Sequence, residues 1–195
     1  RELMHLLFLN GPPRCGKDTA GMILGEHHGH LATMKFSAPL KRATHGLFAG
    51  LHMMLPDTPW VDEPSFFEAE KDDPVDIFFE LTPRDAYIST SELLCKTLFG
   101  GSFFGELMVQ RLQRMAKPPQ IVAFTDCGFD EEVKPVIDWA GKINCTLIKI
   151  ARDGCDFDSD SRGYLKQSMF GEYHTVINTT RSEFRQQLLA VLEMV

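Results

Sequence analysis

The residues best suited to chemistry stand together in one short segment, Gly11-Pro12-Pro13-Arg14-Cys15-Gly16-Lys17-Asp18-Thr19. Its spacing, Gly-x-x-x-x-Gly-Lys, is that of a phosphate-binding loop between a strand and a helix. Glycines allow backbone N–H groups to approach an anion, and the start of the helix adds a positive dipole. Lys17 supplies a mobile charge that can reach the β- and γ-phosphates of a nucleotide. The segment therefore predicts a nucleotide-phosphate site, with a plain strand-to-helix turn as the alternative.

The residue after the loop lysine departs from the usual pattern. A Ser or Thr that binds Mg²⁺ commonly stands there, whereas this chain has Asp18, with Thr19 one place later. We expect Asp18 and Thr19 to contact Mg²⁺ partly through water, unless Asp18 is only an acidic residue in the first turn of a helix. The residues expected to contact ATP are Gly11, Arg14, Cys15, Gly16, Lys17, Asp18 and Thr19, with simple exposure as the alternative for Arg14.

Three further charged residues follow predicted strands and join Lys17 as candidate catalytic groups. Asp126 ends a buried strand, where an isolated carboxylate is costly. It could orient Mg²⁺ through water, hold the acceptor, or cap the turn into the next helix. Arg152 follows the next strand and Arg162 lies in the polar segment after it, so either could stabilise the charge of a transferred phosphoryl group. Ion pairs with the nearby aspartates are the alternative for both arginines.

The elements around these residues predict an α/β fold. Short apolar runs predict buried strands at 3–9, 32–36, 121–124, 145–151 and 175–178. Helices are predicted between them at 16–28, 37–54, 82–100, 102–116 and 130–140, and after Thr180. This alternation is typical of a three-layer fold with a parallel sheet, in which ligands bind outside the carboxyl ends of the strands. The loop, Asp126 and Arg152 would meet at that edge.

We expect one domain over residues 1–195, with a substrate-binding insert at about 37–118 and a polar lid at 152–172. Residues 56–80 contain several prolines, which forbid one long helix, and aromatic side chains that need burial. This composition favours an ordered insert or a mobile flap over a linker.

Three cations stand near predicted helix starts in the insert: Lys41, Arg42 and Arg84. A positive charge is unfavourable there unless it faces an anion, so these residues are candidate ligands of a second phosphate group. Solvated surface charge is the alternative, most of all for Arg42.

Composition limits the classes of function. The chain has 195 residues, of which 44% are hydrophobic and 24% charged, enough for one substantial core. A net charge of −7 argues against a nucleic-acid polymer or a membrane surface as partner, and no apolar run approaches the ~20 residues of a membrane span.

Five cysteines without a Cys-x-x-Cys pair, and no visible secretory signal, favour reduced thiols in the cytoplasm. Small-molecule nucleotides remain suitable partners, and a homodimer is left open.

Four motifs, in this order along the chain, resemble the bacteriophage-type deoxynucleoside monophosphate kinases. They are Gly16-Lys17-Asp18-Thr19, Phe36-Ser37-Ala38-Pro39-Leu40-Lys41, Thr82-Pro83-Arg84-Asp85 and Asp126-Cys127-Gly128-Phe129-Asp130-Glu131-Glu132. The last three are similar to the family's Phe-Ala-x-Pro-Leu-Lys, Thr-Pro-Arg-Glu and Asp-x-Arg-Phe-x-x-Glu. The loop also resembles that of adenylate kinase, where Thr again comes one place later. Gly128 stands where the family has Arg, and Ser91-Glu92 only approximates its Gly-Thr-Glu.

The resemblance implies transfer of the γ-phosphoryl group from ATP, with Mg²⁺, to a deoxynucleoside monophosphate. It implies a P-loop kinase fold in which the monophosphate is bound by Ser37, Lys41, Arg42, Arg84 and Glu92. It also implies a phage-encoded enzyme of nucleotide metabolism in the host cytoplasm. One alternative is another small-molecule kinase, such as a dephospho-coenzyme A kinase. The other is a nucleotide-binding protein without activity, which the departures at Asp18 and Gly128 would indicate.

Overall fold

A computed structural model of the chain describes residues 4–52, 71–158 and 160–195. Within these ranges one sheet of five strands has the order β2-β3-β1-β4-β5, and every pairing in it is parallel. The strands are β1 His5–Asn10, β2 Leu31–Met34, β3 Ile121–Cys127, β4 Cys145–Ala151 and β5 Glu172–Ile177. All five were predicted from the sequence, although β5 begins three residues earlier than its apolar run.

Helices connect the strands and also occupy the region between β2 and β3. They are α1 Lys17–His27, α2 Ser37–His52, α3 Pro83–Ser89, α4 Lys96–Phe99, α5 Phe103–Gln113, α6 Asp130–Ala140 and α7 Arg181–Leu192. A π-helical segment, Thr90–Cys95, joins α3 to α4, so the helix predicted over 82–100 is continuous but irregular. Among the described residues, no helix is both long and apolar enough to cross a membrane. Residues 53–70, which include most of the predicted flap, lie outside the described ranges.

The chain forms two compact units. Unit 1 comprises Arg1–Phe36 and Gly105–Val195 and contains the sheet, and unit 2 comprises Ser37–Phe104. Unit 2 begins where the predicted insert begins, but residues 105–118 of that insert belong to unit 1. The reason is that Met108 and Leu112 of α5 are buried in the core against the sheet.

The core of unit 1 has two layers because β1 is buried on both faces. Leu6 and Phe8 point into one layer and Leu7 and Leu9 into the other, as the period of two in a strand requires. Helices α5 and α6 cover the first layer, and α1 and α7 cover the second. The sheet and its two helical layers confirm the predicted three-layer α/β fold.

A buried asparagine closes the carboxyl end of the sheet. The Nδ2 atom of Asn10 donates to the carbonyl oxygens of Cys127 and Gly163, both at 3.0 Å. Its Oδ1 atom accepts from the backbone N–H of Leu165 at 3.0 Å. Leu165 and Phe170 are themselves buried in the core. Residues 163–170, the later part of the predicted lid, are therefore packed and hydrogen-bonded onto the sheet.

Unit 2 has a small core of its own. Three of its residues are buried together: Phe48 of α2, Ala86 of α3, and Phe78, which precedes α3. Thr82 caps α3, because its hydroxyl oxygen accepts from the backbone N–H of Asp85 at 3.0 Å, and Pro83 is the first helical residue.

We expect Asn10→Ala to lower the free energy of unfolding by about 2–4 kcal/mol, because the change leaves buried backbone groups without partners. Urea unfolding followed by circular dichroism measures this loss. The control is Asn144→Ala, which removes a single side-chain bond to the carbonyl of Ala140 and should cost about 1 kcal/mol. Equal effects of the two substitutions would contradict the special role of Asn10.

Candidate functional site

The predicted phosphate loop lies between β1 and α1, as the motif requires. Gly16 has φ 108°, a left-handed conformation, and a Cβ there would lie 2.5 Å from Nδ2 of Asn178. A Cβ at Gly11 would lie 2.4 Å from the carbonyl oxygen of Ile150. The two glycines therefore bring the loop closer to β4 and to the end of β5 than any side chain would allow.

Lys17 is the first residue of α1, and its side chain folds back over the loop. Its Nζ atom donates to the carbonyl oxygens of Gly11 at 2.6 Å and Pro12 at 2.7 Å, and lies 3.8 Å from Sγ of Cys15. Burial lowers the pKa of Lys17 from its ordinary value. The ammonium group is thus partly removed from water and held at the mouth of the loop, where a phosphate oxygen would be a stronger partner than a neutral carbonyl.

Cys15 lies within the loop and is fully buried. Burial raises the pKa of its thiol, while the nearby Lys17 acts in the opposite direction. We interpret Cys15 as a packing residue whose backbone, rather than its sulfur, would face a nucleotide.

Asn178 is a loop anchor that the sequence analysis missed. Its Nδ2 atom donates to the carbonyl oxygen of Cys15 at 2.8 Å, and its backbone N–H donates to that of Ala151 at 2.8 Å. Its position just after a strand at the carboxyl edge of the sheet was the available signal.

Arg152 contacts the loop backbone. Its guanidinium donates to the carbonyl oxygen of Arg14 at 3.2 Å, and both arginine side chains are exposed. Arg14 itself has φ 64°. Two positive charges therefore stand at the outer edge of the loop. Arg152 also stabilises the strained backbone of Arg14 through its hydrogen bond.

Asp18 forms an ion pair with Lys35, which stands just after β2. Nζ of Lys35 lies 2.9 Å from its carboxylate. Burial alone would raise the pKa of Asp18, but the hydrogen bond and charge of Lys35 lower it below the ordinary value. The next residue, Thr19, is exposed. An ionised Asp18 with a lysine partner adds little net negative charge beside the loop.

Asp126 joins the ends of two strands. Its Oδ1 atom accepts from the backbone N–H of Phe36 at 2.8 Å, so β3 is tied to the residues that follow β2. The carboxylate stands at the same edge of the sheet as the loop, as predicted for the end of a parallel strand.

Arg162 forms a bidentate ion pair with Asp160. Its Nε and Nη2 atoms donate to the two carboxylate oxygens of Asp160 at 2.8 Å and 2.5 Å. The pair lowers the pKa of Asp160 and raises that of Arg162. Besides burial, which is the main cause, the charge of Arg162 acts to lower the pKa of Lys17 and that of Asp160 acts to raise it.

The predicted monophosphate ligands all belong to unit 2. Ser37 is the first residue of α2, and Arg42 is exposed. Nζ of Lys41 lies 5.7 Å from the centroid of the Tyr87 ring. Arg84 pairs with Asp72 at 2.6 Å, and Glu92 pairs with Lys96 at 2.8 Å. Unit 2 thus places three of these residues in cation–π or ionic contacts.

A histidine and a tyrosine beside Lys41 were not predicted. Nε2 of His45 and the hydroxyl of Tyr87 are 2.8 Å apart. Burial raises the pKa of Tyr87 to about 12, so this hydroxyl stays protonated at neutral pH.

Metal binding would depend on few protein ligands. In the ranges that the structure describes, no three His, Cys, Asp or Glu side chains form a group able to hold an ion. Mg²⁺ in nucleotide sites keeps several waters and takes one or two carboxylates together with phosphates. The carboxylate of Asp126 and the hydroxyl of Thr19 have the oxygen chemistry for that role, whereas Asp18 is engaged by Lys35.

Comparison with known proteins adds a distant structural likeness. No protein-family model matches the chain, and no curated protein matches it. Among solved structures, the chain is similar to TT1252 from Thermus thermophilus, with 14% sequence identity, a TM-score of 0.49 and 98% of each chain covered. At this level the likeness assigns neither a family nor an activity.

We expect Gly16→Ala to lower the free energy of unfolding by about 1–2 kcal/mol, because an alanine disfavours the left-handed backbone and its Cβ would collide with Asn178. Thermal and urea unfolding measure the change. Gly29→Ala is the matched control, since nothing lies within 4 Å of a Cβ there. A Gly16 variant as stable as the Gly29 variant would show that the loop tolerates a side chain.

Proposed function

We propose that this chain is an ATP-dependent kinase that transfers the γ-phosphoryl group to a deoxynucleoside monophosphate. The observation that carries the proposal is the partly buried ammonium group of Lys17. It stands at the start of α1, over a loop whose glycines Gly11 and Gly16 admit no side chain. Such a loop and helix start form a site for the phosphates of a nucleotide.

The donors of the loop suit a triphosphate. Lys17 would exchange the carbonyls of Gly11 and Pro12 for phosphate oxygens, because hydrogen bonds between ionised partners are stronger than those to neutral acceptors. The first turn of α1 adds N–H donors and a positive dipole. Arg152, beside the loop, and Arg162, which lies across Gly128 just after β3, would add positive charge where the transferred group becomes more negative.

Mg²⁺ would neutralise charge on the β- and γ-phosphates when it is bound. Asp126, at the carboxyl edge of the sheet, would hold it through water, and the exposed hydroxyl of Thr19 would supply a second oxygen ligand. Asp18 would keep Lys35 close to the phosphates instead of binding the ion directly.

The acceptor would bind to unit 2. Lys41 and Arg42 near the start of α2, and Arg84 in the first turn of α3, are cations that a second phosphate group would stabilise. Ser37 and Glu92 would contribute hydrogen bonds to the rest of the monophosphate. The five free thiols suit a reducing compartment, so we propose that the enzyme acts on free nucleotides in the cytoplasm.

Two observations favour activity over mere nucleotide binding. Asp18 does not oppose the phosphates with an unbalanced charge, because Lys35 pairs with it. The space above Gly128 is filled by the side chain of Arg162, so an arginine is present at that place. Lys35 therefore offsets the charge of Asp18, and Arg162 takes the place of the arginine that Gly128 replaces, so neither departure argues for an inactive protein.

We expect ADP to be released from ATP and Mg²⁺ only when a suitable acceptor is added. The acceptors to compare are dAMP, dCMP, dGMP, dTMP and dephospho-coenzyme A. Release with one or more deoxynucleotides would support the proposal and identify the base. Release with dephospho-coenzyme A alone would overturn the substrate class, and ATP binding without any acceptor-dependent release would favour a non-catalytic protein.

We expect Lys17→Ala to reduce turnover at least ~100-fold with the fold intact, because it removes a charge held ready for the transferring phosphoryl group. Steady-state ADP release measures turnover, and circular dichroism checks the fold. Lys117→Ala, at an exposed position of unit 1, is the control and should behave as the unmodified chain. Unchanged turnover of the Lys17 variant would refute the mechanism.

A further inference from the structure

Residues 160–166, here called the strap, are held at three positions: Gly163, Leu165 and Lys166. Asn10 holds the strap through Gly163 and Leu165, each at 3.0 Å. The backbone N–H of Gly163 also donates to the carbonyl oxygen of Gly128 at 3.1 Å, and Nζ of Lys166 lies 3.0 Å from Asp130. The strap is therefore a rigid support for the side chain that it presents at the carboxyl edge of the sheet.

The side chain presented by the strap is that of Arg162, which lies across Gly128. A Cβ added to Gly128 would come within 2.5–2.7 Å of Cβ, Cγ and Cδ of Arg162. These are the inner atoms of the arginine, which cannot swing away while the strap backbone is held. Gly128 thus sets the path along which Arg162 reaches the site.

Asp160 sets the direction of the guanidinium. Two parallel bonds to its carboxylate, at 2.8 Å and 2.5 Å, fix both the plane and the orientation of the group. Its Oδ1 atom also accepts from the backbone N–H of Arg162 at 2.9 Å. The side chain of Asp160 is only 11% exposed and that of Arg162 28%, so water weakens the pair little.

We propose that Asp160 is a positioning residue that aims Arg162 at the transferring phosphoryl group and competes with the phosphates of ATP for the charge of Arg162 and Lys17. The inference rests on the proposed kinase function. It goes beyond that function because it assigns roles to Asp160 and Gly128, which neither the motif spacing nor the family resemblance indicates.

Asp160→Asn should change binding and turnover in opposite directions. Removing the carboxylate charge reduces repulsion of the phosphates and frees donors of Arg162, so ATP should bind more tightly. The same change releases the guanidinium from its fixed orientation, so the chemical step should slow. A residue with a merely structural role would weaken both binding and turnover.

We expect Asp160→Asn to lower the dissociation constant for ATP–Mg²⁺ about threefold or more and to lower kcat about tenfold. Calorimetric titration of the full chain with ATP–Mg²⁺, without acceptor, gives the first value, and acceptor-dependent ADP release gives the second. Asp160→Glu retains the charge and should restore the ordinary ATP affinity. Asp158→Asn removes an exposed charge two residues before Asp160 and should change neither value more than about twofold.

Gly128→Ala supplies an independent test that alters no charge. Its Cβ should displace the inner atoms of Arg162, so kcat should fall while ATP affinity does not rise. Circular dichroism and urea unfolding report whether this variant folds, and the comparison of Asp160→Asn with Asp160→Glu does not depend on it.

The outcomes separate the two proposals. If the unmodified chain phosphorylates a deoxynucleotide, and Asp160→Asn leaves ATP affinity and kcat unchanged or lowers both, the role of Asp160 is refuted and the kinase function stands. If the unmodified chain shows no acceptor-dependent ADP release, the kinase function is refuted and the role of Asp160 with it.

Discussion

Three hydrogen bonds of one buried side chain hold the candidate site together. Asn10 ends the central strand, next to the first glycine of the phosphate loop, and is completely buried. Its amide group satisfies two carbonyls and one N–H, from the end of β3 and from the strap. A buried polar group is stable only when its hydrogen bonds are made. The position of the strap, and of every charge that the strap presents, depends on that requirement.

The charges around the loop are balanced locally. Lys17 is held by backbone carbonyls, Asp18 by Lys35, and Arg162 by Asp160. The carbonyls that hold Lys17 are weaker hydrogen-bond acceptors than phosphate oxygens. The carboxylate of Asp160 would compete with a phosphate group for Arg162. The edge of the sheet therefore combines positive groups of fixed direction with acceptors that an anionic ligand can replace. This arrangement would suit the proposed phosphoryl transfer.

The sequence predicts the fold and the loop because both depend on local signals. Buried strands appear as apolar runs, and the loop is defined by two glycines and a lysine at fixed spacing. Asn10, by contrast, looks like an ordinary turn residue beside Gly11, since its partners are remote in the chain. Residues 152–172 look like a mobile lid because they are polar, yet Leu165 and Phe170 are buried in the core. The pairing of Asp160 with Arg162 was visible only as one alternative among several nearby aspartates.

The order in which the chain is synthesised bears on when this site can exist. The acceptors and donor that meet Asn10 lie 117 to 155 residues later in the sequence. A nascent chain that has released β1, the loop and α1 from the ribosome has neither β3 nor the strap to place beside them. Contacts of such long range form late in folding. Any fragment that ends before Leu165 would leave the amide of Asn10 with incomplete partners, so the candidate site should form only after the strap has been synthesised.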